Sequence, residues 1–189
     1  MNTRHSQLRE LRKLMPKRPV RLAEAIRIAE LQATRLLHLS GVTMPAVPDR
    51  VVSGFPRVRV EKVYPLGVSG ATAWQTGCWQ ILLNAGEPRT RQRFSAAHEL
   101  KHVIDHPFVE FAYPAVGTFD SHRRQEQVAD FFAAALLMPR PWVKQAWGSG
   151  IQDEAELAEL FDVSRGAMRV RLRSLGLHEE LPIRCEVAA

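Results

Sequence analysis

The chain has 189 residues, of which 46% are hydrophobic and 24% charged, and it carries a formal net charge of +6 at pH 7. This composition is typical of a water-soluble globular protein and excludes collagen-like, disordered and disulfide-scaffold classes. The longest apolar stretch, Phe131–Met138, is too short to cross a bilayer, and residues 1–20 lack the apolar segment of a secretory signal. We therefore expect a cytoplasmic protein with no membrane partner, in which Cys78 and Cys185 are reduced thiols.

Positive charge is concentrated at the beginning of the chain. Residues 1–21 contain seven basic residues and one acidic residue, so the remainder of the chain is balanced in charge. Leu8, Leu11 and Leu14 recur at helical spacing and allow a short amphipathic helix here. We treat residues 1–20 as a basic N-terminal extension, either a solvated terminus or an arm that binds nucleic acid or an acidic partner.

A helix and three strands are predicted next. Apolar residues follow the rhythm of an amphipathic helix from residue 21 to residue 40, and Gly41 occupies the position of a C-terminal cap. The strands are predicted at Arg57–Val63, Gly70–Trp74 and Cys78–Asn84. Residues 75–77 suit a hairpin turn, and strands this close in sequence are expected to pair antiparallel.

Four more helices follow the strands. Pro88 begins the first of them, Pro107 prevents its continuation, and Pro139 ends the second. The helices are predicted at residues 88–105, 121–138, 153–161 and 165–175. The sequence thus predicts an α+β fold in which a small antiparallel three-stranded sheet packs on helices. The predicted domains are a main domain at 21–148, a helix-turn-helix-like segment at 149–178 and a tail at 179–189.

An H-E-x-x-H motif lies inside the first of these helices, as His98-Glu99-Leu100-Lys101-His102. Four residues are slightly more than one helical turn, so both imidazoles project from one face, about 6 Å apart along the axis. There they can bind one zinc ion, while Glu99 can reach a metal-bound water without ligating the metal. The motif predicts metal-assisted hydrolysis with Glu99 as general base.

A zinc hydrolase needs a third protein ligand. His106 is too far from His98, because eight residues of helix rise about 12 Å. Glu126, on the later helix, fits this place, and Asp130 on the same face can hydrogen-bond the far ring nitrogen of a ligating histidine. The alternatives for the third ligand are His122 and Asp120. Two histidines and one glutamate favour zinc among divalent metals.

Two runs of sequence, RQRFSAAHELKHVIDH at 91–106 and EQVADFFAAALLMP at 126–139, resemble the ImmA/IrrE family of metallopeptidases (DUF955). Members show an R-x-R-F-[ST]-x-A-H-E-[LI]-G-H-like run followed by E-x-x-A-[ND]-x-F-A-x-x-L-L-M-P. The matching residues are Arg91, Arg93, Phe94, Ser95, Ala97, His98, Glu99, Leu100 and His102, then Glu126, Ala129, Asp130, Phe132, Ala133, Leu136, Leu137, Met138 and Pro139. Lys101 replaces the usual Gly, and we expect it either to restrict the site or to lie on its open face.

The resemblance implies a zincin-like metallopeptidase core. It implies that His98, His102 and Glu126 bind zinc and that Glu99 is the catalytic base; the H-E-x-x-H spacing independently indicates the first two ligands and the base. It also implies an endopeptidase whose protein substrate is a helix-turn-helix repressor. An exposed strand edge near the site could hold that substrate in an extended conformation.

The C-terminal segment has a pattern of its own. Residues 156–177 are typical of a helix, a turn and a second helix, and Arg165, Arg169 and Arg173 share one face of the second helix, as in a recognition helix. Acidic residues on the first helix nearly balance this charge, which favours packing or partner contact instead. The alternative function is therefore a non-catalytic regulator that binds DNA or a repressor through this segment and the basic extension.

Overall fold

The computed structural model of the protein describes residues 3–114 and 121–177. The predictions for Asp120, Cys185 and the tail at 179–189 lie outside the described residues. Within the described ranges, no helix is both long enough and apolar enough to cross a membrane. The cytoplasmic location stays a prediction.

Most predicted elements are present, with bounds that differ by a few residues. The helices are α1 (Thr3–Arg12), α2 (Leu22–Leu39), α3 (Arg50–Ser53), α4 (Arg89–Asp105), α5 (Val109–Ala112), α6 (Ser121–Leu137), α7 (Arg140–Gly148), α8 (Glu154–Phe161) and α9 (Arg165–Ser174). The strands are β1 (Val58–Val63), β2 (Gly70–Gln75) and β3 (Cys78–Asn84). A 3-10 turn at His106–Phe108 separates α4 from α5. The short helices α3, α5 and α7 are additions to the predicted set.

The three strands form one mixed sheet in the order β1-β3-β2. β2 and β3 form the predicted antiparallel hairpin, in which Thr76 and Gly77 adopt positive φ angles of 48° and 79°. β1 pairs with β3 in parallel, so the prediction of a wholly antiparallel sheet is wrong. β2 forms the edge of the sheet opposite β1 and runs antiparallel to it. The hairpin then reverses the chain and places β3 between these two strands, so β3 runs in the same direction as β1.

Helix α4 is the central element of the core. It contacts β2 and β3 of the sheet and also α6, which in turn packs against α2. Leu100 and Ile104 of α4, Ile81 of β3 and Phe132 of α6 are fully buried in one hydrophobic core. The motif helix is therefore held from both sides, which fixes the direction in which its remaining face projects.

The N-terminal extension is packed onto the main domain. Leu11 is 0% exposed, and Met15 and Val20 are also buried. The guanidinium of Arg12 donates from Nε to the carbonyl of Ile104 at 3.2 Å and from Nη2 to that of Val103 at 2.8 Å. The expectation of a solvated terminus is wrong for these residues, because their apolar side chains join the core and Arg12 binds carbonyls in the last turn of α4.

Helices α8 and α9 are attached to the main domain through an arginine of α4. Arg93 is buried, and it donates from Nε to the carbonyl of Asp162 at 3.1 Å and from Nη2 to the carbonyl of Val47 at 2.8 Å. Its Nη1 also contacts the carboxylate of Asp49. Asp162, in the turn between α8 and α9, has a left-handed φ of 53°. The C-terminal helix pair is thus fixed to the helix that carries the H-E-x-x-H motif.

Candidate metal centre

The two histidines of the motif meet on the free face of α4. Their Nε2 atoms lie 3.1 Å apart, with side-chain exposures of 14% for His98 and 26% for His102. Helix α4 begins after Pro88 and continues through the motif, because its residues have good or adequate helix propensity and include no glycine. The predicted one-turn spacing is therefore present in the structure.

Helix α6 brings a carboxylate to the same point. Glu126 Oε2 lies 3.3 Å from His98 Nε2, and Glu126 Oε1 lies 3.3 Å from His102 Nε2. The three residues offer ligand atoms that all lie within 4.8 Å of one another. Ligands about 2.0–2.1 Å from a tetrahedral zinc ion lie about 3.3 Å from each other, so these donors fit such an ion.

The other candidates for the third ligand are placed differently. His122 is exposed, and its Nε2 lies 3.7 Å from Glu126 Oε1. Among the described residues, the group that could hold a metal is His98, His102 and Glu126, without His122. Asp120 lies outside the described ranges.

Asp130 orients one of the two histidines, as the sequence suggests. Its Oδ1 lies 2.9 Å from His98 Nδ1. An ionised carboxylate can only accept, so Nδ1–H donates to it and Nε2 keeps its lone pair for a metal. Burial lowers the pKa of His98, but the hydrogen bond and charge of Asp130 with the charges of Glu126 and Glu99 outweigh it, and the net pKa is raised.

The second histidine has the opposite balance. Burial and the neighbouring charge of His98 lower the pKa of His102, and the carboxylates of Glu126 and Glu99 only partly oppose them. The imidazole of His102 is therefore favoured in its neutral form, the form that binds metals.

Glu99 lies beside the three donors and is held by the sheet. Its Oε2 accepts a hydrogen bond of 2.6 Å from Thr72 Oγ1 on β2, and its side chain is buried. Gly70, on the same strand, permits the close approach: a Cβ there would lie 3.1 Å from Glu99 Cγ and from Glu99 Oε1. Thr72 and Gly70 are missing from the sequence prediction, since nothing local marks a contact across 27 residues.

Lys101 is buried on the core side of α4, so the expectation that it lies on the open face of the site is wrong. Its Nζ donates to Asp105 Oδ1 at 2.6 Å and to Gln32 Oε1 at 2.7 Å, and Asp105 also accepts from Tyr113 Oη at 2.5 Å. Burial lowers the pKa of Lys101, while the charge and hydrogen bond of Asp105 oppose that effect. Burial and Asp105 together raise the pKa of Tyr113.

The arginines singled out on the C-terminal helix lie away from the three donors. Arg165, Arg169 and Arg173 are exposed on α9. Arg169 is paired with Glu154 of α8, with nitrogen–oxygen distances of 2.8 and 2.9 Å. Another arginine of the same helix, Arg171, is buried, although no pattern in the sequence distinguishes it from the exposed arginines beside it.

Comparisons with known proteins agree with this site. The profile of the peptidase M78 family, the IrrE N-terminal-like domain, matches residues 57–173. The radiation response metalloprotease IrrE of Deinococcus radiodurans is 30% identical over 172 residues, which are 82% of this chain and 50% of that protein. A solved Mycobacterium tuberculosis transcriptional regulator superposes with a TM-score of 0.62 at 16% identity, over 88% of this chain and 51% of its own. The chain therefore spans about half the length of each of these two proteins.

Proposed function

Because the chain belongs to the peptidase M78 family of IrrE N-terminal-like domains, we propose that it is a zinc-dependent endopeptidase that cleaves a regulatory protein. The observation that carries this proposal is the convergence of His98, His102 and Glu126 within 4.8 Å, with the carboxylate of Glu99 on the next residue of the same helix. The family and the metalloprotease relative support a metallopeptidase-type regulator. That the metal is zinc, that Glu99 is the base and that the substrate is a regulatory protein are parts of the proposal.

Each side chain of the site has a distinct role in this proposal. A zinc ion, when bound, supplies a Lewis acid that polarises a peptide carbonyl and acidifies water. His98, His102 and Glu126 would hold it, and Asp130 keeps His98 in the tautomer that presents Nε2. Glu99 takes a proton from the attacking water and returns it to the leaving amine.

Thr72 prepares Glu99 for that proton transfer. Its hydroxyl occupies one carboxylate oxygen, Oε2, at 2.6 Å, and so fixes the direction of the group. The other oxygen is left to accept the proton. A base held in this way loses little conformational freedom when the substrate binds.

We propose that the substrate binds in extended form along β2. Among the described strands, β2 pairs with β3 on one side only, so its other edge presents backbone donors and acceptors. Thr72, which contacts Glu99, belongs to this edge strand. A polypeptide added there passes beside the base. The substrate class we propose, a helix-turn-helix repressor, comes from the family resemblance.

The metal content of the purified protein is the first test. We expect about one zinc per chain by mass spectrometry in the wild-type protein and almost none in Glu126→Ala, because two neutral imidazoles alone hold zinc weakly. Glu110→Ala on α5 is the matched control and should keep its zinc. No bound metal in the wild type, even after zinc is offered, would contradict the proposal.

Cleavage tests the base. Zinc-loaded protein is incubated with a panel of helix-turn-helix repressor domains, and the fragments are identified by mass spectrometry. Glu99→Gln should keep its zinc and lose cleavage by at least about a hundredfold, because it can no longer accept the proton. Cleavage at the wild-type rate would refute Glu99 as the base.

A second candidate function is a non-catalytic regulator that binds DNA. The exposed Arg165 and Arg173 on α9 favour it, whereas the pairing of Arg169 with Glu154 counts against it. Binding to duplex DNA that falls with salt, and falls further in Arg165→Gln/Arg173→Gln, would favour this function. Absence of such binding, together with cleavage of a repressor domain, would support the peptidase function and exclude DNA binding.

A further inference from the structure

A groove of about 570 Å³ lies between α4, α6 and α9. Its walls are largely apolar and include Phe94 from α4, Phe131 and Ala134 from α6, and Ala167 and Val170 from α9. Val170, one of these lining residues, is 65% exposed. The side of α9 that faces the main domain is thus only partly covered.

The groove adjoins the candidate metal centre. Asp130, which lines the groove, also contacts His98 Nδ1 at 2.9 Å. Phe94 lies one helical turn before His98 on α4, and Gln127, another lining residue, follows Glu126 on α6. The lining thus includes residues next to His98 and Glu126, and a polypeptide that extends from the three donors in this direction reaches the groove.

A buried arginine lies behind the apolar walls. Arg171 lines the groove, is only 3% exposed, and lies over the ring of Phe131 at 5.8 Å. Its Nε donates to the carbonyl of Met138 at 3.0 Å, but its Nη2 has no hydrogen-bond acceptor among the described residues. Arg171 therefore supports the Phe131 wall of the groove from the protein interior.

We propose that this groove receives an apolar side chain of the polypeptide substrate. This inference rests on the proposed peptidase function and adds a specificity site to it. Helix α9 then forms a wall of the substrate site, with the groove-facing side that includes Ala167 and Val170 turned to the peptide. The continuity with the metal centre favours a substrate over other occupants.

A glycine of α9 allows the groove to be filled without disturbing the fold. Gly166 lines the groove, and a Cβ added there would meet no atom within 4 Å. Gly148, the last residue of α7, has the same open surroundings and does not line this groove. Gly166→Trp is therefore the test variant and Gly148→Trp its matched control.

The test measures peptide binding independently of cleavage. Zinc-loaded Glu99→Gln protein is used to select from a displayed library of random dodecapeptides, and an enriched peptide is labelled with fluorescein for anisotropy. We expect enriched peptides to share an apolar residue at a fixed position, and Gly166→Trp to weaken binding by at least about tenfold while Gly148→Trp leaves it unchanged. No enrichment, or equal binding by Gly166→Trp, would overturn the inference.

Other occupants give distinct results. A dimer that Gly166→Trp dissociates in light scattering would assign the groove to a second copy of the chain and overturn the proposal. Tighter peptide binding in Leu181→Glu/Ile183→Glu would assign it to the chain's own C-terminal residues, with the same consequence. A Gly166→Trp effect on DNA binding without an effect on peptide binding would also overturn it.

Cleavage of the selected peptide by the protein with Glu99 intact separates this inference from the proposed function. A peptide that binds through the groove and is never cleaved would contradict the proposed peptidase function but support the groove as a peptide-binding site. A peptide that Gly166→Trp cleaves as well as the wild type does would support the peptidase function but contradict the groove as a specificity site.

Discussion

At the residue scale, the most unusual feature is a buried ion pair on α4, the helix that also carries the two histidines of the candidate metal centre. The side chain of Lys101 is 2% exposed, and its ammonium is satisfied by Asp105 and Gln32. Tyr113 contributes a further hydrogen bond to Asp105. A charge in such a place is tolerated only when it is paired and hydrogen-bonded. The resemblance places a glycine at this position, so this chain fills the space with a polar network that links α4 to α2.

Removing one partner of this pair should be far more costly than removing both. We expect Asp105→Asn to lower the free energy of unfolding by about 3–5 kcal/mol, because the Lys101 ammonium then stays buried without its counter-charge. The double variant Lys101→Met/Asp105→Asn should recover much of that loss. Urea denaturation of the single and double variants measures the coupling, and additive effects would contradict the pairing.

Thr72 gives a second prediction at this scale. Thr72→Val keeps the shape of the side chain but removes the hydrogen bond to Glu99, so the turnover number for cleavage should fall by about tenfold while zinc content is unchanged. Thr72→Ser retains the hydroxyl and should restore most of the rate. Equal turnover in wild type and Thr72→Val would show that Glu99 needs no such support.

At the element scale, the site depends on how closely β2 approaches α4. Gly70 of β2 lies opposite Glu99 of α4. A Cβ on Gly70 would lie 3.1 Å from Glu99 Cγ and 3.3 Å from Ser95 Cβ. Such contacts are tighter than ordinary packing, so any side chain there must displace the Glu99 carboxylate, Ser95 or the strand. The small residue is a requirement of the site because it lets the edge strand contact the motif helix.

Gly70→Ala should therefore reduce activity more than stability. We expect kcat/KM for a cleaved peptide to fall by about tenfold or more, because Glu99 is shifted, while zinc content and far-UV circular dichroism are retained. Gly67→Ala is the matched control, since a Cβ at Gly67 meets nothing within 4 Å. Similar activity in Gly70→Ala and the control would contradict the role of close packing.

At the scale of the whole molecule, the N-terminal extension belongs to the folded unit. Leu11 is completely buried, and the carbonyl of Leu11 accepts a hydrogen bond of 3.1 Å from the buried amide of Gln32. Arg12 binds two carbonyls at the end of α4. Part of the positive charge of this stretch is therefore used within the protein, where Arg12 binds the C-terminal turn of α4.

Leu11→Ala should destabilise the whole protein. Truncation of a fully buried leucine costs about 2–5 kcal/mol, because apolar contacts are lost and a cavity remains. Leu14→Ala, whose side chain is 37% exposed, should cost much less. Urea denaturation compares the two variants, and an equally small effect of both would show that the extension is not part of the cooperative unit.

Local patterns in the sequence predicted the residues of the candidate site. The spacing of His98 and His102 fixes their common face, because helical periodicity is a local property of the backbone. The carboxylates Glu126 and Asp130 were placed on a second helix by the same reasoning, and the structure brings both to the histidines. The hairpin of β2 and β3 was also predictable, since its turn residues specify the reversal locally.

Features that depend on contacts between distant segments could not be predicted from local patterns. The parallel pairing of β1 with β3, the hydrogen bond from Thr72 to Glu99 and the burial of Lys101 each join residues that no local pattern relates. Their physical reason is the same in each case. Which strand edges pair and which helix faces are covered is settled by the packing of the whole core, where a charge or a small residue is tolerated only if its distant neighbours suit it.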